Sequence, residues 1–397
     1  MENWAAIMIP CFNGTPFLNI LMNCLVNQTY NRLHIIIVDD GSTDQSGNMI
    51  MEYKQKIEEQ GKKLTYIRQD NKGVAGAINT ALSQVNEEFL TWMDVDDRIS
   101  NNHVEKMVGA LRLNSDYNWV SCKGYVYSEN NLCKKIGELG IRKFDEKRYA
   151  EDLLFHRANC TPGLYMFRTD AFRLANNGMS IYCKGRIQGQ NMQMLIPMAL
   201  MYGKPYYIDE HLFHYTVRES SLSHGNGDNI YNMMNYVEHI HNIKMEVVNM
   251  NGYITLEHKA NLKRKLIFFN DKWKLEFLSK YSIEESYVFI KGIFDKYINY
   301  SIIKKRCIRI WGVYPMGIWL HDALKAAYPQ YTFGYVESDI KKCCDFVKYK
   351  DDIDVRDDYI ISLLQIHLEI EELLRKMSFI EIKDYLYFQK EIDASNE

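Results

Sequence analysis

The chain has 397 residues, of which 47% are hydrophobic and 25% charged, with a formal net charge of −3. That length exceeds one ordinary core and implies two or three domains of a soluble globular protein. The balanced charge argues against a nucleic-acid binder, which shows a strong basic excess.

No apolar run approaches the ~18 residues of a membrane span. The N-terminus enters a strand at once, without the basic and apolar regions of a secretion signal. Nine cysteines are scattered with no Cys-x-x-Cys pair. They read as reduced thiols of a cytoplasmic protein, with neither zinc nor disulfides implied. The 28 tyrosines suit either ordinary packing or a surface for sugars and flat ligands.

From residue 4 to about 100, strand and helix alternate. AAIMIP is a short apolar strand. Thr15 is positioned to cap a helix with Pro16 at its first position, and Phe17, Ile20, Leu21, Cys24 and Leu25 recur at helical spacing as its buried stripe. Strand HIIIVD, a helix through Met49 to Ile57, strand LTYIRQ, helix GVAGAINTALSQV and strand EFLTWMD follow. Such alternation implies an α/β fold with parallel strands and right-handed crossovers. Every one of these strands stops at polar groups: Pro10 to Asn13, Asp39-Asp40-Gly41-Ser42, Asp70-Asn71-Lys72-Gly73, and Asp94-Val95-Asp96-Asp97. Ligands of open parallel sheets bind beyond the carboxyl ends of the strands, so the acidic ends mark one binding rim.

Residues 100–225 are mixed: a helix near 101–113, strand-like WVSCKGYVYS, the segment TPGLYMFRTDAF, helical QNMQMLIPMALMYG, strand KPYYIDE and the polar loop VRESSLSHGNGD. Residues 226–300 read as helical. There Leu262, Leu266, Phe269, Trp273 and Phe277 share a face beside Lys263, Arg264, Lys265, Lys272 and Lys274. A solvated basic face on a packing helix is the plain reading; peripheral contact with an anionic membrane at the cytoplasmic side is the other. Alternation restarts in 301–397 with CIRIWG, a helix through His321 to Ala327, FGYVES, DYIISLL, helix EIEELLRKM and DYLYFQ, a small Rossmann-like α/β domain. The expected domains are therefore 1–225, 226–300 and 301–397.

An Asp-x-Asp at a strand end offers hard oxygen ligands for Mg²⁺ or Mn²⁺, ions that favour carboxylates combined with phosphate oxygens. IPCFN, IIIVDDGSTD, DNKGVAGAIN and WMDVDD, in that order, resemble the family-two glycosyltransferases of the GT-A fold, over roughly residues 4–225. The resemblance implies a nucleotide-sugar donor and a glycan or lipid-linked acceptor, as in surface-polysaccharide assembly. It implies that Pro10, Phe12, Asn13 and Asp40 hold the nucleoside, and that Asn71, Gly73 and Asn79 line the nucleotide pocket. Asp94 and Asp96 would form the Asp-x-Asp motif, with Asp96 or Asp97 on the metal. Arg218 would be a diphosphate ligand in the covering loop, and His224 a weaker metal-ligand candidate whose plain alternative is an exposed loop histidine. TPGLYMF resembles the family's acceptor-side floor, or is a buried strand without ligand contact.

One departure from the family concerns the base that an inverting transfer needs. Where an acidic pair opens the second-half helix in the family, this chain has Gln190 and Asn191, whose amides accept no proton near neutral pH. Another carboxylate serves as base, the acceptor is activated otherwise, or the protein is a scaffold that binds donor without efficient transfer. The base is left unassigned, with Gln190 and Asn191 as groups that hydrogen-bond the acceptor or donor sugar. In the last domain, WGVYPMG opens a helix after a strand and Glu337 ends the next strand, the layout of a dinucleotide-binding unit. Tyr314 stands where that fingerprint needs its second glycine, so no NAD is expected and a structural or docking module is the favoured reading, against a dehydrogenase or epimerase activity.

Overall fold

In the computed structural model, the described residues are 4–140, 149–156, 158, 160–177, 189–218, 229–295, 307–311, 315–337, 347–349, 358–362 and 385–387. The chain divides into two compact units, Met1–Asn226 with Asn242–Leu262, and Gly227–His241 with Lys263–Glu397. The helices of 226–300 contribute to both.

The first unit is built on β1 (Ala5–Cys11), β2 (Leu33–Asp39), β3 (Lys63–Arg68) and β4 (Phe89–Trp92), linked by α1 (Thr15–Val26), α2 (Ser46–Glu59) and α3 (Gly73–Leu82). Ile35, Ile36, Ile37 and Val38 are all fully buried. A run buried on both faces belongs to an interior parallel strand, and each such side chain contributes roughly 2–3 kcal/mol. The four strands are parallel in the order β3-β2-β1-β4, with Cys11 beside Asp39 and Asp39 beside Arg68. Their carboxyl ends therefore lie along one rim, as the sequence implies.

Beyond β4 the sheet is mixed, not parallel throughout. After β5 (Arg98–Ile99), α4 (His103–Leu113), β6 (Trp119–Ser128), β7 (Asn131–Leu139) and α5 (Tyr149–Leu154), the chain returns as β8 (Tyr165–Arg168), antiparallel to β4 and β6. Then α6 (Thr169–Ala175) and α7 (Gln190–Tyr202) lead to β9 (Tyr206–Val217), which pairs in parallel with β6 and antiparallel with β5. The strand begun by KPYYIDE thus runs far past the expected end. TPGLYMF supplies β8, buried between two strands.

Two details of α1 correct the sequence reading. Thr15 is its first residue, not its cap: the cap position is Gly14, Pro16 comes second, and the Thr15 N–H is satisfied from outside by Asp44 Oδ2 at 3.1 Å. The buried stripe is Leu18, Leu21, Met22 and Leu25, while Ile20 is exposed. The face is rotated because Phe17 is drawn toward the rim, its ring 5.3 Å from the Arg218 guanidinium carbon.

The second unit holds part of α8 (Ile230–Met250) and α9 (Leu256–Leu278), with α10 (Ile283–Phe294) and α11 (Pro315–Ala327). Ser282 and Glu285 form a reciprocal capping box at the head of α10. Strands β10 (Cys307–Trp311), β11 (Thr332–Glu337), β12 (Val347–Tyr349), β13 (Asp358–Ser362) and β14 (Tyr385–Tyr387) form an all-parallel sheet in the order β12-β11-β10-β13-β14. Its core joins Ile308 and Ile310 to Leu320, Leu324, Ile290 and Phe294. On α9 the expected basic face does not stay free: Lys272 is buried and lies 4.0 Å from Glu276, and Lys274 pairs with Glu238. No helix among the described residues is long and apolar enough to cross a membrane.

Candidate active site

At the rim, the loop after β2 is knitted to the loops after β1 and β3. Asp39, fully buried, accepts hydrogen bonds from the Ser42 backbone N–H (2.8 Å), the Tyr66 hydroxyl (2.8 Å) and Arg68 Nη1 (3.1 Å). Asp40 accepts from the Lys72 backbone N–H (2.8 Å) and Gln69 Nε2 (2.7 Å), both on Oδ1, while its own N–H donates to Cys11. Gly41 has φ +79, and a Cβ there would stand 3.1 Å from the Asn71 backbone nitrogen. Only glycine makes that turn against its neighbour without strain.

Asn13, itself at φ 51, donates its N–H to the Ser42 hydroxyl and accepts from the Thr43 N–H. Phe12 is half exposed on the lip, and Pro10 lies in β1 just behind it. Asn71 caps the approach to α3 by accepting from the Gly73 N–H at 3.3 Å, and Gly73 starts that helix with Asn79 further along it. Asp40, Asn13, Asn71 and Gly73 are thereby brought to one edge of the sheet. This network uses Asp39, Ser42 and Gln69, which sequence reasoning did not assign; the first two lie inside the quoted DDGS turn.

A second feature adjoins the first. Gly14 packs so closely on the acidic loop that a Cβ would meet Val95 Cγ2 and Cys11 Sγ at 2.9 Å. In that loop Asp94, Asp96 and Asp97 each offer a carboxylate oxygen, and these oxygens lie within 4.8 Å of one another. Burial, then Asp96, raises the Asp94 carboxyl to about 7 despite Arg218. Asp96 is raised by burial and held down in part by Arg218, whose Nε is 2.5 Å from its Oδ2. Asp97 is pushed well above its ordinary value by burial, then by Asp96 and Asp94. Its Oδ1 accepts from the Thr216 N–H at 3.0 Å, and its Oδ2 is a buried oxygen without a partner.

Three hard donors, crowded, under-neutralised and with an orphaned oxygen among them, fit a divalent cation. The end of β9 completes this corner through Thr216 and Arg218. Nothing in the local sequence signalled Thr216. His224 lies outside the described residues.

Asn191 stands at the head of α7. Its Oδ1 accepts from Trp92 Nε1 at 3.0 Å, which ties the head of α7 to the end of β4. Gln190, buried, turns its Oε1 back to the Gly189 N–H. Of the pair, one amide is fixed by an indole and the other is spent on its own helix start. Gly312 and Tyr314 of the glycine pattern in the second unit lie outside the described residues; Gly317 is buried in α11.

Residues 6–174 match the family described as "Glycosyl transferase family 2". Glycosyltransferase GlyA of Streptococcus pneumoniae is 31% identical over 107 residues, which is 27% of this chain and 15% of GlyA. Glycosyltransferase GlyG of the same organism is 23% identical over 233 residues, 56% of this chain and 73% of GlyG. The chain spans 15% to 31% of the length of several curated relatives it matches. Among solved structures, S. aureus TarS residues 1–349 in complex with UDP-GlcNAc superposes with a TM-score of 0.54 at 16% identity, covering 74% of this chain and 80% of that one. Residues 6–174 thus match the glycosyl transferase family 2 model, and the sheet that carries them has a GT-A-like fold similar to that of the TarS structure.

Proposed function

We propose that the chain transfers a sugar from a nucleoside-diphosphate donor to a hydroxyl of a glycan or glycolipid acceptor, with inversion and with the help of Mn²⁺ or Mg²⁺. The observation that carries the reading is the convergence of Asp94, Asp96 and Asp97 beside the Asp40 and Asn13 cradle on one sheet rim. Asp40, Asn13, Asn71, Gly73 and Asn79, with Pro10 and Phe12 at the lip, hold the nucleoside. Asp94, Asp96 and Asp97 would hold the cation, which when bound supplies positive charge to the departing diphosphate.

Arg218 already lies against Asp96 with its guanidinium over Phe17. It shifts its charge to the diphosphate as that leaving group forms. Asn191, fixed by Trp92, orients the sugar or the incoming hydroxyl. TarS was crystallised with UDP-GlcNAc, which makes UDP-GlcNAc the first donor to try.

The all-parallel order β12-β11-β10-β13-β14 supports a Rossmann-like reading of 301–397, to which we assign a structural or docking role. The amide pair at 190–191 favours one rival: a scaffold that binds donor and does not transfer. Incubation with Mn²⁺ and a panel of sugar nucleotides decides between them. A transferase releases nucleoside diphosphate, slowly to water and faster with an acceptor glycan, and EDTA suppresses it. Tight binding without release establishes the scaffold and overturns the transferase.

A further inference from the structure

α7 carries a polar residue that the donor site does not use. Gln193 is only 7% exposed, and both its amide oxygen and its amide nitrogen are buried without a hydrogen-bond partner. Leaving both ends of a buried amide unpaired is costly. Pro197, one turn further along, has no N–H, so the Gln193 carbonyl also lacks its usual helical donor. Gln193 and Pro197 line a cleft whose opposite wall is α8. There Ile243, Val247 and Met250 share one face of the helix at i, i+4 and i+7, with Glu246 beside them. Asn251, 5% exposed, follows: its Oδ1 accepts from the Tyr253 and Ile254 N–H groups at 2.9 and 3.2 Å, and its Nδ2 is a second buried orphan. All of these residues belong to the first compact unit.

The walls of the cleft are tied to one another. Asn177 Nδ2 donates to the Met250 carbonyl at 3.4 Å, and the Tyr253 hydroxyl donates to the Leu174 carbonyl at 3.2 Å. The inner space is about 60 Å³, room for about four waters or for one edge of a small polar molecule, and too little for a nucleotide. Among the described residues that line it there is no aromatic ring and no cationic side chain. A base therefore finds no stacking partner there and a phosphate no counter-charge, and Glu246 repels the phosphate.

We propose that this cleft is a carbohydrate site, which takes the edge of one pyranose of a glycan through two neighbouring hydroxyls. An amide is the complement of such a pair: one hydroxyl donates to Oε1 of Gln193 while the next accepts from Nε2. The amide turns toward the cleft about its own side-chain bonds as the hydroxyls arrive, and two orphaned groups gain partners. Asn251 Nδ2 supplies a further donor, and Ile243, Val247 and Pro197 face the C–H groups of the ring. The site selects a neutral, hydroxylated ligand, the class assigned to the acceptor above. Its role as a second hold on the acceptor rests on the transferase reading; the binding itself does not.

The test uses the full chain, isotope-labelled at its methionine methyls and titrated by NMR with the methyl glycosides of glucose, galactose, mannose and N-acetylglucosamine. Met250, assigned through Met250→Leu, reports on the cleft. At least one glycoside is expected to move that signal with a Kd of about 1–10 mM, with or without Mn²⁺. Gln193→Leu nearly keeps the volume and removes both orphaned groups, and it is expected to weaken binding about tenfold or more. Val247→Trp, whose indole fills the cleft, is expected to abolish the shift. Neither variant should change the slow release of nucleoside diphosphate to water. If no glycoside moves Met250, or if Gln193→Leu binds like wild type, the cleft holds water and the carbohydrate site is refuted. A wild type that moves Met250 yet releases no diphosphate overturns the transferase reading and leaves the carbohydrate site in place.

Discussion

Asp39, at the end of β2, is wholly buried and collects three donors within 3.1 Å, whereas Asp97, equally buried after β4, has one backbone donor and an oxygen with no partner. The two lie on the same rim, yet one is finished and the other is not. A buried carboxylate whose own chain supplies its donors is part of the scaffold. A cluster of buried carboxylates left short of donors and of positive charge is costly, and the missing partner comes from outside. The contrast separates the part of the rim that shapes the donor cradle from the part that handles charge.

The largest test of that contrast replaces a metal-side carboxylate. Asp97→Asn is expected to lower nucleoside diphosphate release about 1,000-fold and to abolish the thermal shift given by Mn²⁺. In EDTA the same variant melts higher than wild type, because one buried charge is gone. Retained Mn²⁺ dependence would falsify the triad as the cation site. Asp39→Ala should behave in the opposite way: it strands Tyr66, Arg68 and the Ser42 N–H and costs about 3 kcal/mol of stability in urea unfolding, with or without metal. A folded, fully stable Asp39→Ala protein would show that the network is decoration.

How much of this was legible beforehand follows the range of the contacts. Strand ends, the Asp-x-Asp loop and the parallel order β3-β2-β1-β4 depend on local patterning, and HIIIVDD and WMDVDD displayed them. Thr216 reaches Asp97 across 119 positions, and no periodicity encodes such a pairing. KPYYIDE shows only the start of β9, and its partners on β6 and β5 supply the hydrogen bonds that carry it on to Val217. The buried face of α1 was misjudged for a similar reason: Phe17 satisfies helical spacing but serves the rim near Arg218.

A smaller effect sharpens the comparison through pH. Asp94 rises to about 7 in the folded chain from an ordinary 3.8, through burial and then Asp96. The folded state thus binds more protons than the unfolded one between those values, and the stability linked to this group, full below about pH 4, is lost as pH rises through about 7. Metal-free protein should lose melting temperature from about pH 4 to about pH 7 on this account. Saturating Mn²⁺, which needs the ionised carboxylates, reverses the slope. Melting curves with EDTA and with Mn²⁺ therefore cross as pH is raised. Parallel curves would mean that the acidic loop and the cation do not interact.

The smallest expected effect concerns Asp44, a partly exposed carboxylate that belongs with Asp39 in kind. Burial acts to raise it, but the Ser46 hydroxyl and the donors of Thr15 and Ser46 outweigh that and bring it to about 2. It thereby does for α1 what Thr15 was expected to do, from a different loop. Its contribution is present above the ordinary carboxylate value and is lost as pH falls toward about 2. Asp44→Ala should cost about 1 kcal/mol in urea unfolding at neutral pH, and Asp44→Asn less, since an amide oxygen still accepts from the Thr15 N–H. Neither substitution should alter the response to Mn²⁺. If Asp44→Ala weakened the Mn²⁺ shift as much as Asp97→Asn does, the division of the rim into a scaffold side and a charge side would fail.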